Sequence, residues 1–366
     1  MDIDYGIVAD RIVKDCIRLG KKDSLGVHTT EHMLPLAKEI VKAARRAGAD
    51  TVISLDSDDI WYDALLNLPA SWLKSPSSLG QAFLKASTAQ VYIGGPQDPS
   101  RMRDIPPERW AANDKGATAT YKPFEKRNVP TLDLSISRVT EARARTYGFD
   151  YGEWHSSSLQ AMAVDPKLMK KKGEPIARAL SRARKGRVTA PGGTDFEFEF
   201  HGAMPTLSNG EIRPRKGVRS SYHASLPDGA VGIALKKGSG EGKVVSTLSI
   251  PQAGNLIRAL SWEFEGGRMR KVDADEHLDV FKTFFTEEKR KKGADQLGWI
   301  EVGLNPAAKC GFLENSIAEG VVTIGIGDNS ELGGNNRSAF GIPAFLNDAT
   351  LEADGRKLVS HGRIVA

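Results

Sequence analysis

The chain has 366 residues, enough for two domains with a core each at roughly 100–200 residues per domain. Its 40% hydrophobic and 27% charged residues are ordinary globular usage and exclude a disordered or fibrous chain. Net charge is +5, carried in short clusters at Lys170–Lys172, Arg182–Arg187, Lys236 and Lys237, and Lys289–Lys292, each beside a glycine turn and without interleaved aromatics, so a nucleic-acid partner is not expected.

In chain order, apolar strand-like runs alternate with helical patterns through the first half. Residues 24–28, 51–55, 90–94 and 129–134 are predicted strands. Between the first two, Leu34, Ala37, Ile40, Val41 and Ala44 recur at helical spacing, and Gly48 is placed to cap the helix. Residues 136–147 and 151–183 are predicted helical, the latter broken near Pro166 and Gly173. From about residue 186 the period changes to two, with Phe196, Phe198 and Phe200 alternating against Glu197, Glu199 and His201. Further strands are predicted at 230–235, 244–250, 256–264, 268–272, 298–304 and 320–327, with hairpin turns at Gly266-Gly267 and Asp354-Gly355. One helix, 275–291, interrupts them with Leu278, Phe281, Phe284 and Phe285 on a shared face. The fold class is therefore α/β: an N-terminal parallel α/β domain over 1–185, then a β-rich α+β domain over 186–366 that carries the expected active site.

No apolar run approaches the roughly 18 residues that span a bilayer, and the acidic first residues do not read as a signal peptide. Two distant cysteines, Cys16 and Cys310, suit a reducing compartment, so a cytoplasmic location away from membranes is expected.

Four polar or glycine-rich turns in the second half hold the candidate chemistry. They are 188–195, 222–229, 300–306 and 326–337. Glu301 stands within an apolar strand, where a buried carboxylate must be paired, hydrogen-bonded or bound to a metal. It is the candidate base or metal ligand, unless it faces outward or pairs with an arginine. His223 and Asp328 are candidate acid–base partners, and Asn329, Asn335, Asn336 and Arg337 candidate substrate-binding residues. A loop histidine satisfied by backbone, and turn-forming side chains at Asp328-Asn329 and Asn335-Asn336, are the plainer readings of the same residues. Asp195 is expected to be structural, capping the Gly192-Gly193 turn through backbone hydrogen bonds. HExxH, GxSxG, GxxxxGK[ST] and an early GxGxxG are all absent.

The turns, in order, carry a resemblance. VTAPGGTDFEF, SLPDGAV, EVGLNPAAK and GVVTIGIGDNSELGGNN resemble the aminopeptidase T family of thermophilic metallopeptidases, and the first half fits that family's N-terminal α/β domain. GLNPAA and the GDN…LGG phrasing are also similar to the iron-dependent 2,5-dihydroxypyridine dioxygenases, which share the scaffold. The resemblance implies a two-metal hydrolytic site built from glutamates, histidines and an aspartate. Carried over residue by residue, only Glu301 is retained. Ala230, Thr323, and Phe340 with Ile342 stand where ligands are expected, and Glu314 fills another position only in one register with Ser316. A facial triad, with two histidines and a carboxylate, finds only Glu301. The expectation is a diverged, aminopeptidase-like enzyme on a small polar substrate, hydrolytic, with no cofactor or with one divalent ion held by Glu301 and Glu314. A ring-cleaving enzyme and a non-catalytic binding protein are the alternatives. A small molecule is the expected partner, and the family resemblance implies a homodimer.

Overall fold

The computed structural model describes residues 4–215, 219–289, 293–338 and 340–366. It divides into two compact units, Met1–His155 with Gly210–Pro227, and Ser156–Asn209 with Asp228–Ala366. The sequence-based boundary at 185/186 falls elsewhere for two reasons. The helix Pro166–Leu180 places Met169, Ile176 and Leu180 in the second unit's core, and a late segment returns to the first unit as a strand.

The first unit is built on a five-stranded, wholly parallel sheet in the order Asp50–Asp56, Ser24–Thr30, Ala89–Ile93, Thr131–Leu134, His223–Leu226. Its first four strands match the predicted ones. The fifth does not: His-Ala-Ser-Leu is too short to show a period and reads as a turn. The helix Leu34–Arg46 buries Leu36, Ala37, Ile40, Val41 and Ala44, and Gly48 ends it at φ +92° with its N–H on the Arg45 carbonyl. One sheet face holds Leu25, Val27, Val91, Ile93, Leu132 and Leu134, all buried.

The second unit is antiparallel. An eight-stranded sheet runs from Arg268–Asp273 to Arg363–Ile364, and a five-stranded sheet has the order Gly341–Leu346, Val322–Gly327, Leu297–Gly303, Ala230–Ala234, Thr206–Ser208. Val188, Phe196, Val244 and Trp262 of the larger sheet share one core with Val231, Ile300, Val302, Ile324 and Ile342 of the smaller. The predicted helix 275–291 is observed as Leu278–Lys289, and 290 and 291 lie outside the described residues, as does most of the Lys289–Lys292 cluster.

Three local expectations are corrected. Gly173 does not break its helix. It sits against Leu207, Leu304 and Val231, whose side chains a Cβ there would meet at 2.7 to 3.0 Å, so its smallness is a packing requirement. Lys170–Lys172 therefore lie within that helix, and Lys172 pairs with Glu319 at 2.6 Å. The predicted strand 256–264 is split into Asn255–Ile257 and Ser261–Glu265 around Ala259, whose φ is +47°.

Asp195 does not cap its turn. Its carboxylate receives Arg187 Nε at 2.8 Å and Nη2 at 2.7 Å, and that guanidinium holds its pKa below the usual carboxylate value. The Asp195 side chain is 59% exposed, so solvent screens the pair. Asp195→Ala is expected to lower stability by about 0.2–1 kcal/mol in urea unfolding. A loss of several times that size would mean the turn itself depends on the carboxylate.

Candidate functional site

Alternation along Leu297–Gly303 sends Ile300 and Val302 into the core, at 1% and 0% exposure, and Trp299, Glu301 and Gly303 to the other face. The register places Gly232 on one side of Glu301 and Thr323 on the other. This face is consequently made of small or polar residues around one carboxylate. Gly232 is small by necessity: a Cβ there would lie 2.9 Å from Glu301 Cγ and 3.2 Å from Oε1. Gly325 is likewise overlain by the Trp299 ring. Leu332, in the turn Ser330–Leu332, covers the glycine from above.

Glu301 keeps some accessible surface, yet protein surrounds it deeply enough that burial pushes its carboxyl up to about 7. The Trp299 indole N–H donates to the carboxylate and opposes that rise, while the negative charge of Asp228 adds to it. Asp228 is 6% exposed and accepts from Ser208 Oγ and the Gly229 N–H, each at 2.7 Å. Thr323 is 1% exposed, and among the described residues its Oγ1 has no hydrogen-bond partner. A carboxylate poised near neutrality, an indole donor and an unused hydroxyl thus share one face.

Of the other sequence candidates, Asp328 lies in the same unit and holds its own loop. It accepts from the Ser330 N–H and Oγ and from the Ser338 N–H. Asn329 and Asn336 are 3% and 0% exposed, and neither faces solvent as a substrate ligand. Asn329 Nδ2 donates to the Gly298 and Leu235 carbonyls, its Oδ1 accepts the Asn336 N–H, and Asn336 Nδ2 donates to the Gly293 and Gly327 carbonyls. They pin the 328–338 loop to the strand ends. Asn335 and Arg337 alternate with them and are exposed. His223 is an exposed residue of the first unit, on the edge strand beside Thr131. Glu314 precedes the turn Asn315–Ile317 and receives Ser158 Oγ at 3.5 Å. Sequence reasoning missed Trp299, Asp228 and Gly232. Asp228 sits in a Pro-Asp-Gly run that reads as a turn former, and Thr323 reads only as a lost ligand.

The fold and site together define a two-unit scaffold, parallel α/β and then antiparallel β, with a desolvated carboxylate, Glu301, on its smaller β-sheet. Residues 6–132 match the family model described as thermophilic metalloprotease (M29). The whole chain has the fold of AmpT from Thermus thermophilus, covering 99% of both chains with a TM-score of 0.79 at 16% identity. It is also similar to 2,5-dihydroxypyridine dioxygenase from Pseudomonas putida KT2440, over 99% of this chain and 97% of that one, with a TM-score of 0.65 at 14% identity. No curated protein matches in sequence. The α/β and β-rich scaffold inferred from the four turns is therefore the one observed.

A metalloprotease-like centre would need three or more donors around each ion. Among the described residues no group of three His, Cys, Asp or Glu is placed to hold a metal ion. Thr323 stands directly across from Glu301, Phe340 packs on Phe281 and Phe285, and Ile342 is 3% exposed in the core. The described residues do not fit that centre. Among the described residues, no helix is long and apolar enough to cross a membrane.

Proposed function

We propose that this protein is a diverged, aminopeptidase-like hydrolase that uses Glu301 as a general base on a small polar substrate. The observation that supports this reading most is the desolvated Glu301 carboxyl, pushed up to about 7, on a glycine-lined face away from the core. A base titrating near the working pH balances availability against proton affinity. As carboxylate, Glu301 takes a proton from a water whose oxygen attacks the substrate carbonyl carbon, and it returns that proton to the leaving nitrogen when the C–N bond breaks. The Trp299 N–H orients the carboxylate, and the Thr323 hydroxyl lies across from it on the neighbouring strand.

The test uses a panel of aminoacyl-p-nitroanilides and small amides with the full chain. Hydrolysis is expected to persist in EDTA, to rise with pH through about 7, and to fall by at least about 100-fold in Glu301→Gln. Elemental analysis is expected to find no pair of metal ions per chain. Near-full activity in Glu301→Gln, or abolition by EDTA with restoration by a divalent ion, would overturn the reading.

A further inference from the structure

Helices cover both faces of most parallel sheets, so both faces are normally apolar. The first unit's sheet departs from this on the face opposite Leu25 and Val27. Its register sets Ser54, His28, Tyr92, Asp133 and Ser225 side by side in one row across all five strands. His28 and Tyr92 stack with centroids 5.0 Å apart and planes 2° from parallel. They stand on the two strands between which the order of the sheet reverses, near the carboxyl ends, and ligands of open α/β sheets bind at that place.

Hydrogen-bonding capacity on this face is unused. Gln90, one row below, is 5% exposed, and among the described residues its Nε2, lying over Gly26, has no hydrogen-bond partner. Among the described residues, no protein hydrogen bond reaches the side chains of His28, Tyr92 or Tyr121. The charge is also unbalanced. Asp133 is matched by Arg138 at 2.8 Å, but among the described residues Asp56 accepts only the Ser57 N–H, at 3.0 Å. Asp56 stands two residues beyond Ser54 on the edge strand, on the same sheet face as His28, and acts electrostatically on His28, Tyr92 and Tyr121. Burial keeps the His28 imidazole below its ordinary pKa, so near pH 7 the ring is neutral and adds no positive charge.

We propose that this face binds an organic cation, an ammonium or amidinium group seated against the rings of His28, Tyr92 and Tyr121 with its charge met by Asp56. Aromatic faces attract cations through their quadrupole, and an uncompensated carboxylate supplies the charge that selects cation over anion. Ser54, opposite His28 on the edge strand, is small.

The probe is benzamidine, titrated into the full chain by calorimetry and ligand-observed NMR, with benzoate as the anion of the same shape. Benzamidine is expected to bind and benzoate not. Asp56→Asn and Tyr121→Ala are each expected to weaken benzamidine binding by about tenfold or more, with thermal midpoints showing that each variant folds. If one variant does not fold, the other decides. Unchanged affinity in Glu301→Gln separates this site from the second unit's carboxylate. The proposal is overturned if benzamidine does not bind, if benzoate binds equally, if Asp56→Asn and Tyr121→Ala leave the affinity unchanged, or if Glu301→Gln removes it.

Discussion

Glu301→Gln is expected to stabilise the protein at pH 8 while leaving it nearly unchanged at pH 4. The folded carboxyl titrates near 7, above its ordinary 4.5, because burial disfavours the charged form. Between those two values the folded state binds more protons than the unfolded one, so stability falls as pH rises across the window. Below it the group is neutral in both states, and the penalty is absent. Above about 7 the penalty is complete and constant. The difference between about 7 and 4.5 corresponds to about 3 kcal/mol, an upper bound because the residue's remaining surface hydrates the carboxylate. The glutamine keeps an oxygen for the Trp299 N–H and removes the charge that Asp228 repels. Urea unfolding at pH 4, 5, 6, 7 and 8 reads the slope in both proteins. An identical slope in Glu301→Gln would mean that the carboxyl titrates in its ordinary range, and the general-base reading would lose its main support.

Asn329→Ala is expected to cost about 3–5 kcal/mol, among the largest effects of any single polar substitution in this chain. The change leaves the Leu235 carbonyl, which accepts Asn329 Nδ2 at 3.3 Å, and the Asn336 N–H, which donates to Oδ1 at 2.8 Å, without those partners in a buried setting, and takes from the Gly298 carbonyl the second of its two donors, the first being the Leu235 N–H. Each buried group left unpaired costs about 1–3 kcal/mol, and the partners are shared, so the sum is not additive. The adjacent Asn335→Ala, at an exposed position, is expected to stay within about 0.5 kcal/mol. This contrast separates a loop staple from a substrate ligand. A substrate ligand at Asn329 would instead leave the unfolding midpoint in place and raise KM.

Much of the fold was legible from the sequence because it is written in local patterns. The first four strands, the Leu34–Arg46 helix with its Gly48 end, and the Phe196, Phe198 and Phe200 alternation each follow from side chains spaced at 3.6 or 2 residues. Glu301 was legible too, since a charge inside an apolar strand requires a special environment whatever the neighbours are. The turn motifs likewise indicated the scaffold that AmpT and the dioxygenase share.

What lay beyond the sequence depends on register and on contacts between distant segments. No local pattern brings His223–Leu226 beside Thr131–Leu134, because a four-residue strand gains its partners only in the tertiary structure. Asn329 and Asn336 read as solvent-facing turn formers, and only the folded loop turns their amides inward. The same holds for both sites. Gly232 and Thr323 come to flank Glu301, and His28 to stack on Tyr92, through strand pairing across 69, 22 and 64 residues of sequence, as their numbering and register show. The sequence by itself determined most of the strands and helices and marked one acid within an apolar strand as the candidate, because those depend on neighbours along the chain. The tertiary structure alone decided what surrounds that acid and which sheet face stays polar, because those depend on which strands pair and in what register.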